Sequence, residues 1–138
     1  MNSSNRSVLR PWMYWLLRFA GTFNFLAGFC MLVFYHEGYK MVGVPKPALV
    51  LPIQLTGILV VLFGVGYHLS ASDPLRNRNV LALGMWSKLL CSLWALIYVF
   101  NGALPWWFIL VLLGADIAYV PLFVIILRQI DRIAKIPA

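Results

Sequence analysis

The sequence predicts an all-α membrane protein built as a four-helix transmembrane bundle. Hydrophobic residues make up 62% of the 138-residue chain and charged residues 11%, whereas soluble domains carry roughly a quarter charged residues. Four apolar stretches are each long enough for the ~20 residues that a ~30 Å hydrocarbon core requires. Because the segments between and beside them are short, we expect residues 1–138 to form a single transmembrane domain without a soluble part.

The predicted helices span about residues 12–35, 50–70, 80–101 and 105–127. The apolar run of the first helix is longer than the roughly 7–15 residues of a signal peptide, so this helix is expected to be retained. The connectors at residues 71–79 and 102–104 are short, which makes the helices that they join antiparallel neighbours. The connector at residues 36–48 contains Gly and Pro and is not expected to form a long helix.

The Lys and Arg residues outside the helices predict the orientation. Most of them fall beside the two termini and in the 71–79 connector, so by the positive-inside rule both termini face the cytoplasm. We expect a bacterial plasma membrane, with anionic lipid headgroups beside these basic residues. They form no compact folded patch, so nucleic acid is not an expected partner. The residues are Arg6, Arg10, Arg76, Arg78, Arg128, Arg132 and Lys135 on one side, against Lys40 and Lys46 on the other.

Small and polar residues recur at helical spacing on one face of each of the first three helices. Transmembrane helices associate through small residues and interhelical hydrogen bonds, so these faces are expected to point inward. Cys30 and Cys91 are expected to be small packing residues, since no metal site or thiol redox motif is indicated. The faces are Ala20, Asn24, Ala27 and Met31; Gln54, Gly57, Val61, Gly64 and His68; and Gly84, Lys88, Cys91 and Ala95.

Lys88 and Asp116 lie near the middle of the third and fourth predicted helices. Both are roughly 20 Å from the turn around Ala103 at 1.5 Å rise per residue, so they are matched in depth. Because each unpaired charge costs about 2.5–3.5 kcal/mol in hydrocarbon, we expect an ion pair inside the bundle. Asn24 lies at nearly the same depth and is expected to hydrogen-bond the pair. Arg18, nearer the cytoplasm, either extends to that interface or competes with Lys88 for Asp116.

The Lys88–Asp116 pair has two possible roles. It is either a polar lock that fixes helix register, or a functional group such as a proton relay, an ion path or the counter-charge of a ligand. The internal repeats and broken helices of a transporter are not found in the sequence. No catalytic residue is identified, and an enzyme is the less expected outcome. The candidate intramembrane polar site consists of Lys88, Asp116, Asn24, Gln54 and Arg18.

Several glycine positions and the order of the helices form a further pattern. They are Gly21 and Gly28 in the first helix, Val44-Pro45 ending the outer connector, Gln54-x-x-Gly57 and Phe63-Gly64-x-Gly66 in the second helix, and a short basic loop before the third. This pattern resembles the DoxX-like group of small four-helix membrane proteins over most of the chain. The resemblance implies quinone-linked oxidation or assistance to other membrane proteins, but carries no catalytic motif onto numbered positions.

Two functions from different classes are therefore expected. The favoured one is an accessory subunit or assembly partner of a larger membrane complex, because extramembrane mass is small and small-residue faces are abundant. Gly21 with Gly28, and also Gly66, are expected to contact another helix, from a second copy or a partner subunit. The alternative is a binder of a quinone, a lipid or another lipophilic molecule with a redox-linked role. A cavity beside Lys88 favours the alternative, and a sealed core favours the subunit.

Overall fold

Helices dominate the computed structural model, which describes residues 8–135. They are α1 Pro11–Val33, α2 Tyr35–Val42, α3 Leu51–Ser72, α4 Arg78–Phe100, α5 Phe108–Leu112, a π-helical turn at Leu113–Ile117, and α6 Tyr119–Ala134. Helices α1, α3 and α4 are each long and apolar enough to cross a membrane, and so is the continuous segment Phe108–Ala134, which we call the last span. No strand is found among the described residues. The predicted all-α class with four transmembrane helices is confirmed.

The two ends of the bundle differ chemically. The start of α1, the connector between α3 and α4, and the end of α6 lie at one end, which we call the basic end. The opposite end carries α2 and the turn before α5, and we call it the connector end. Helix α2 stops at Gly43, whose φ of 73° is in the left-handed region that glycine tolerates. Arg6 lies outside the described residues. The basic residues at the basic end include Arg10, Arg76, Arg78, Arg132 and Lys135.

The last span continues well past the predicted end near residue 127. Helix α6 ends at Ala134, and Arg78 on α4 holds Asp131 through Nε–Oδ1 and Nη2–Oδ2 hydrogen bonds of 2.8 and 2.9 Å. Ile126 and Ile130 are buried, whereas Arg128 is exposed, so this stretch is an amphipathic helix. The predicted end was wrong because charged residues mark where the apolar run stops, and the helix does not stop there.

Glycines join α1 to α3 in an antiparallel seam. A Cβ added to Gly21 would lie 2.9 Å from the carbonyl oxygen of Gly64, and one added to Gly57 would lie 2.9 Å from that of Gly28. No side chain fits in that space, so the two backbones are in contact at two levels. Close approach of this kind gives strong van der Waals contact between transmembrane helices. These four residues, Gly21, Gly28, Gly57 and Gly64, form what we call the glycine seam.

The glycines that were expected to contact another molecule are used inside the chain. Gly21 and Gly28 belong to the glycine seam, and a Cβ at Gly66 would lie 2.7 Å from Val80 Cγ1 on α4. Gly84 of α4 likewise accommodates the ring of Tyr67 on α3. The prediction of free glycine surfaces was wrong because three neighbouring helices have enough close contacts to use all three positions.

The inward face of α4 differs in part from the predicted one. Gly84 and Lys88 are buried as expected, but the next buried position is Ser92, and Cys91 is exposed. Cys30 on α1 is exposed as well. Both cysteines were expected to pack in the interior, and both instead lie on the outer surface of the bundle. The error at Cys91 is one residue, or about 100° around the helix axis.

The last span contains an irregular turn around Asp116. The segment Leu113–Ile117 is a π-helical turn, in which the Ala118 N–H donates to Leu113 O five residues earlier, at 3.0 Å. Pro121 accounts for a disturbance here, because it has no N–H for the Ile117 carbonyl and its ring clashes with that carbonyl in an α-helix. The segment Phe108–Ala134 is still one helical span, so the π-turn is an irregularity within a helix and not a broken helix of the kind found in transporters. Pro121 was the sequence signal for this irregular turn.

The apolar core is concentrated toward the basic end. Its buried side chains come from the first half of α1, the last turns of α3, the start of α4 and most of α6. Tyr67 and Phe123 pack edge to face near its centre, with ring centroids 5.1 Å apart. Asn24 and Lys88 lie one to two turns beyond the buried core residues of their own helices, toward the connector end. The polar site is therefore located at the edge of this core that is nearer the connector end.

Candidate functional site

Lys88 and Asp116 form the predicted ion pair. Lys88 Nζ lies 2.8 Å from Asp116 Oδ1, and the exposed fractions of the two side chains are 6% and 27%. The pair joins α4 to the π-helical turn, because the two residues are equally distant from the turn that connects these elements. An ammonium group with so little exposure is tolerated in hydrocarbon when it is neutralised, and the carboxylate does this.

The ammonium group of Lys88 has a partner for each of its three protons. In addition to Asp116 it donates to Ala115 O at 2.8 Å and to Asn24 Oδ1 at 3.4 Å. Its Nζ also lies 5.0 Å from the centre of the Tyr119 ring, within range of a cation–π contact. Because an ammonium has three donors and no acceptor, Lys88 has no hydrogen bond left for another group.

The π-helical turn supplies one of these partners. In a regular helix the Ala115 carbonyl would accept from the N–H four residues later, and a π-turn disturbs that ladder. Lys88 donates to this carbonyl and stabilises the widened turn within the membrane, where an unsatisfied backbone group is costly. The π-helical turn and the ion pair are therefore parts of one arrangement.

Arg18 does not reach Asp116, so the proposed competition with Lys88 is absent. Its Nε donates to Tyr14 Oη at 3.1 Å, its Nη1 to His68 Nδ1 at 3.2 Å and its Nη2 to Ser72 Oγ at 3.2 Å. Tyr14 and Ser72 lie one turn nearer the basic end than Arg18 and His68, respectively. Arg18 therefore extends toward the basic end, which is the first of the two outcomes expected for it from the sequence.

Gln54 is not brought to the ion pair. It lies in the first turn of α3, at the connector end, whereas the level of Asn24 on that helix is marked by Gly64. Ten residues of helix separate these levels by about 15 Å. Gln54 shares a face with Gly57 and Gly64, but helical periodicity fixes the face of a residue and not its distance from a site along the axis.

An apolar groove lies beside the pair. It has a volume of 340 Å³ and is lined by Phe19 and Phe23 of α1 and by Leu110, Val111, Gly114, Ala115 and Tyr119 of the last span. Ala115 and Tyr119 both contact Lys88 as well. The groove opens on the outer surface of the bundle, where lipid chains would lie. It is therefore an open groove next to two contacts of Lys88, and Lys88 itself is not among its lining residues.

Sequence reasoning missed the groove and one buried polar group. Ser92 Oγ is the single buried side-chain N or O atom in residues 8–135 without a hydrogen-bond partner, and it lies one turn from Lys88 on the inward face of α4. A groove depends on how far two helices separate, and no sequence period encodes that distance. Ser92, by contrast, is four residues after Lys88, and this spacing would have identified it.

Metal ligands and known relatives give no further assignment. Within residues 8–135, no three His, Cys, Asp or Glu side chains are grouped so that they could hold a metal ion. Comparisons of the chain with protein-family models, with curated proteins and with solved structures found no match. The resemblance to the DoxX-like group therefore stays a prediction based on glycine positions and helix order.

Proposed function

We propose that the protein binds one lipophilic molecule in the groove between α1 and the last span, with the polar end of that molecule beside the Lys88–Asp116 pair. The observation that carries the proposal is the contact of two groove-lining residues, Ala115 and Tyr119, with Lys88. Ligand sites typically combine apolar walls of roughly 300–1,000 Å³ with a few convergent polar groups. The groove has this combination and opens toward the lipid phase, from which a hydrophobic ligand would enter.

The chemistry of the bound polar group follows from the available partners. Lys88 uses all three of its N–H donors in hydrogen bonds, so it has no donor left for a ligand carbonyl oxygen. Asp116 uses Oδ1, while its side chain keeps 27% exposure, and an ionised carboxylate only accepts hydrogen bonds. The site therefore favours a head group that donates, such as the hydroxyl of a quinol or of a neutral lipid. An oxidised quinone would depend on the Tyr119 hydroxyl alone.

A blocked groove is the test of this proposal. Gly114 lines the groove and a Cβ added there meets no atom within 4 Å, so Gly114→Phe would fill the space without a clash. Leu113→Phe is the matched control, because Leu113 is the adjacent residue, 44% exposed, and does not line the groove. Protein is extracted gently from native membranes and weighed intact by mass spectrometry, and its bound small molecules are then identified.

We expect a stoichiometric lipophile on the wild-type protein and on Leu113→Phe, and its loss from Gly114→Phe. Tyr119→Phe removes only a hydroxyl and should weaken binding roughly fivefold if that hydroxyl bonds the ligand, for a hydrogen bond of about 1 kcal/mol. Protein that carries no molecule, or equal occupancy in the two Phe variants, would refute the proposal.

A role as an accessory subunit or assembly partner is the second candidate. It no longer rests on free glycines, and the observation in its favour is an exposed stripe on α4 with Trp86 and Trp94. Trp86 is about 12 Å along α4 from the basic end, whereas tryptophan usually lies at the membrane interface. An indole exposed at that depth is suited to contact with another protein. The stripe consists of Leu83, Trp86, Leu90, Trp94 and Ile97, which are 46–66% exposed.

Cys91 tests this second candidate without any mutation. It is exposed on α4 and flanks the Trp86–Trp94 stripe, so a thiol-reactive photo-cross-linker attached to Cys91 in native membranes should, on irradiation, join the chain to whatever protein covers that stripe. A second copy would give a species of twice 15.7 kDa, and a different subunit would give another mass. Cys91→Ser should abolish the product, and Cys30→Ser should not. A chain that remains monomeric throughout would exclude a partner on this face.

We also infer that both termini and the loop before α4 face the cytoplasm of a bacterial plasma membrane. The support is the excess of Lys and Arg at the basic end. In a cysteine-free background, Lys40→Cys should react with an impermeant thiol reagent added to intact cells, and Arg76→Cys should react only after lysis. The reverse labelling pattern would show that both termini face away from the cytoplasm.

A further inference from the structure

Arg18 lies in a built polar site on a different face of α1 from the groove, about 100–140° around the helix axis from Phe19 and Phe23. The guanidinium contacts Tyr14, His68 and Ser72 at 3.1–3.2 Å, and its carbon lies 5.2 Å from the centre of the Tyr14 ring. The glycine seam makes this possible, because a Cβ at Gly21 would lie 2.7 Å from His68 Cδ2. The site therefore depends on the close approach of α1 and α3.

Within the part of the chain that the structure describes, the Arg18 guanidinium forms no ion pair. Arginine has no acceptor, so it donates to His68 Nδ1, and the neutral ring then carries its proton on Nε2, which faces Thr22 Oγ1 at 3.4 Å. The chain has four acidic residues. Glu37, Asp116 and Asp131 pair with other cations, and Asp73 accepts from the Arg76 backbone N–H. The Arg76 N–H does not neutralise the charge of Asp73, but Asp73 forms no ion pair with Arg18 either, so within residues 8–135 no acidic side chain pairs with Arg18.

The guanidinium also keeps unused donors. It has five N–H groups, of which three are used, so one N–H remains on each of Nη1 and Nη2. Two neighbouring donors of one guanidinium match two oxygens of a phosphate group. The partners Tyr14 and Ser72 hold the guanidinium toward the basic end, about 10 Å or less from the first turn of α1, where lipid phosphates lie.

We propose that Arg18, supported by His68 and Ser72, binds the phosphate of an anionic phospholipid at the basic end of the α1–α3 interface. The lipid would supply the counter-charge that Arg18 lacks among its hydrogen-bond partners, and its acyl chains would lie along the apolar outer surface of these helices. This binding is independent of the groove, which uses other residues of α1.

The test uses detergent-purified, delipidated protein and three additives at equal concentration, namely phosphatidylglycerol, phosphatidylcholine and inorganic phosphate. Melting temperature and intact mass are measured with each. We expect phosphatidylglycerol to raise the melting temperature by several degrees and to remain bound in the mass spectrum, with at most a small effect of the other two. An equal effect of phosphatidylcholine would show that net negative charge is not recognised, and an equal effect of inorganic phosphate would indicate a soluble anion. Either result overturns the proposal.

Two Arg18 variants and a matched control locate the effect. Arg18→Gln should lose the phosphatidylglycerol shift, and Arg18→Lys, which keeps the charge but not the paired donors, should reduce it at least about twofold. Arg128→Gln removes an exposed cation from the same end and should leave the shift intact. If Arg18→Gln does not fold, Arg18→Lys and Arg128→Gln still decide the outcome. Equal shifts in those two variants would overturn the proposal.

Discussion

Lys88 and Arg18 are both cations within membrane-spanning helices, yet their surroundings are opposite. Lys88 is 5% exposed, has a carboxylate partner and uses all three N–H donors in hydrogen bonds. Arg18 is half-buried, has only neutral partners and keeps two donors. A charge that its own chain neutralises contributes to the fold, whereas a charge with only neutral partners keeps an affinity for an external anion. The two positions should therefore respond differently to the same substitutions.

Removal of one member of the Lys88–Asp116 pair should have the largest effect. Lys88→Met and Asp116→Leu each leave a buried charge alone and should lower the free energy of unfolding by about 3–5 kcal/mol. The double variant leaves no charge and should lose less than either single variant. Unfolding in mixed micelles of increasing sodium dodecyl sulfate content, followed by circular dichroism, measures all three. Strictly additive losses would mean that the two side chains are not coupled.

A side chain in the glycine seam should have the next largest effect and should displace the α3 partners of Arg18. Gly21→Leu forces α1 away from α3 and displaces His68, at a cost of about 1–3 kcal/mol for an overpacked contact. The phosphatidylglycerol effect should disappear, whereas the double variant Lys88→Met/Asp116→Leu should still lose less than Lys88→Met alone, because that ion pair joins α4 to the last span and not to α3. Gly38→Leu is the control, because no atom lies within 4 Å of a Cβ there. Equal losses in the two Leu variants would contradict the seam.

Arg18→Met should have the smallest effect on stability in delipidated protein. Its three hydrogen bonds go to neutral groups at 3.1–3.2 Å on a half-buried side chain. Each contributes about 0.5–1.5 kcal/mol, and the cost of holding an unpaired cation in the membrane offsets most of this sum, so we expect a net loss of about 1 kcal/mol. The same unfolding measurement applies. A loss as large as that of Lys88→Met would remove the distinction between the two cations.

The sequence predicted what depends on hydropathy and on depth. Continuous apolar runs located the four spans, and equal distances from one turn paired Lys88 with Asp116, because both properties are linear along the chain. Asn24 was placed by the same measure. Helical faces were predicted less well, since an error of one residue moved the inward polar position from Ser92 to Cys91.

Features that depend on the spacing between helices were not predicted. The glycines were recognised as contact residues, but their partner was assigned to another molecule, because a periodic pattern carries no information on which helix faces it. Two partners of Arg18, His68 and Ser72, come from α3, 50 and 54 positions along the chain, and their identity depends on the backbone contact at Gly21. The groove likewise exists only because α1 and the last span separate beyond the core.

The π-helical turn is a joint in the last span. It lies between α6, which is fixed in the core by Phe123 and Ile126, and α5, which carries Leu110 and Val111 into the groove. Bending at the joint would change the width of the groove without loosening the core. Lys88 holds the joint through the Ala115 carbonyl. One lysine therefore sets both the charge balance of the membrane interior and the stiffness of the wall against which a lipophile would rest.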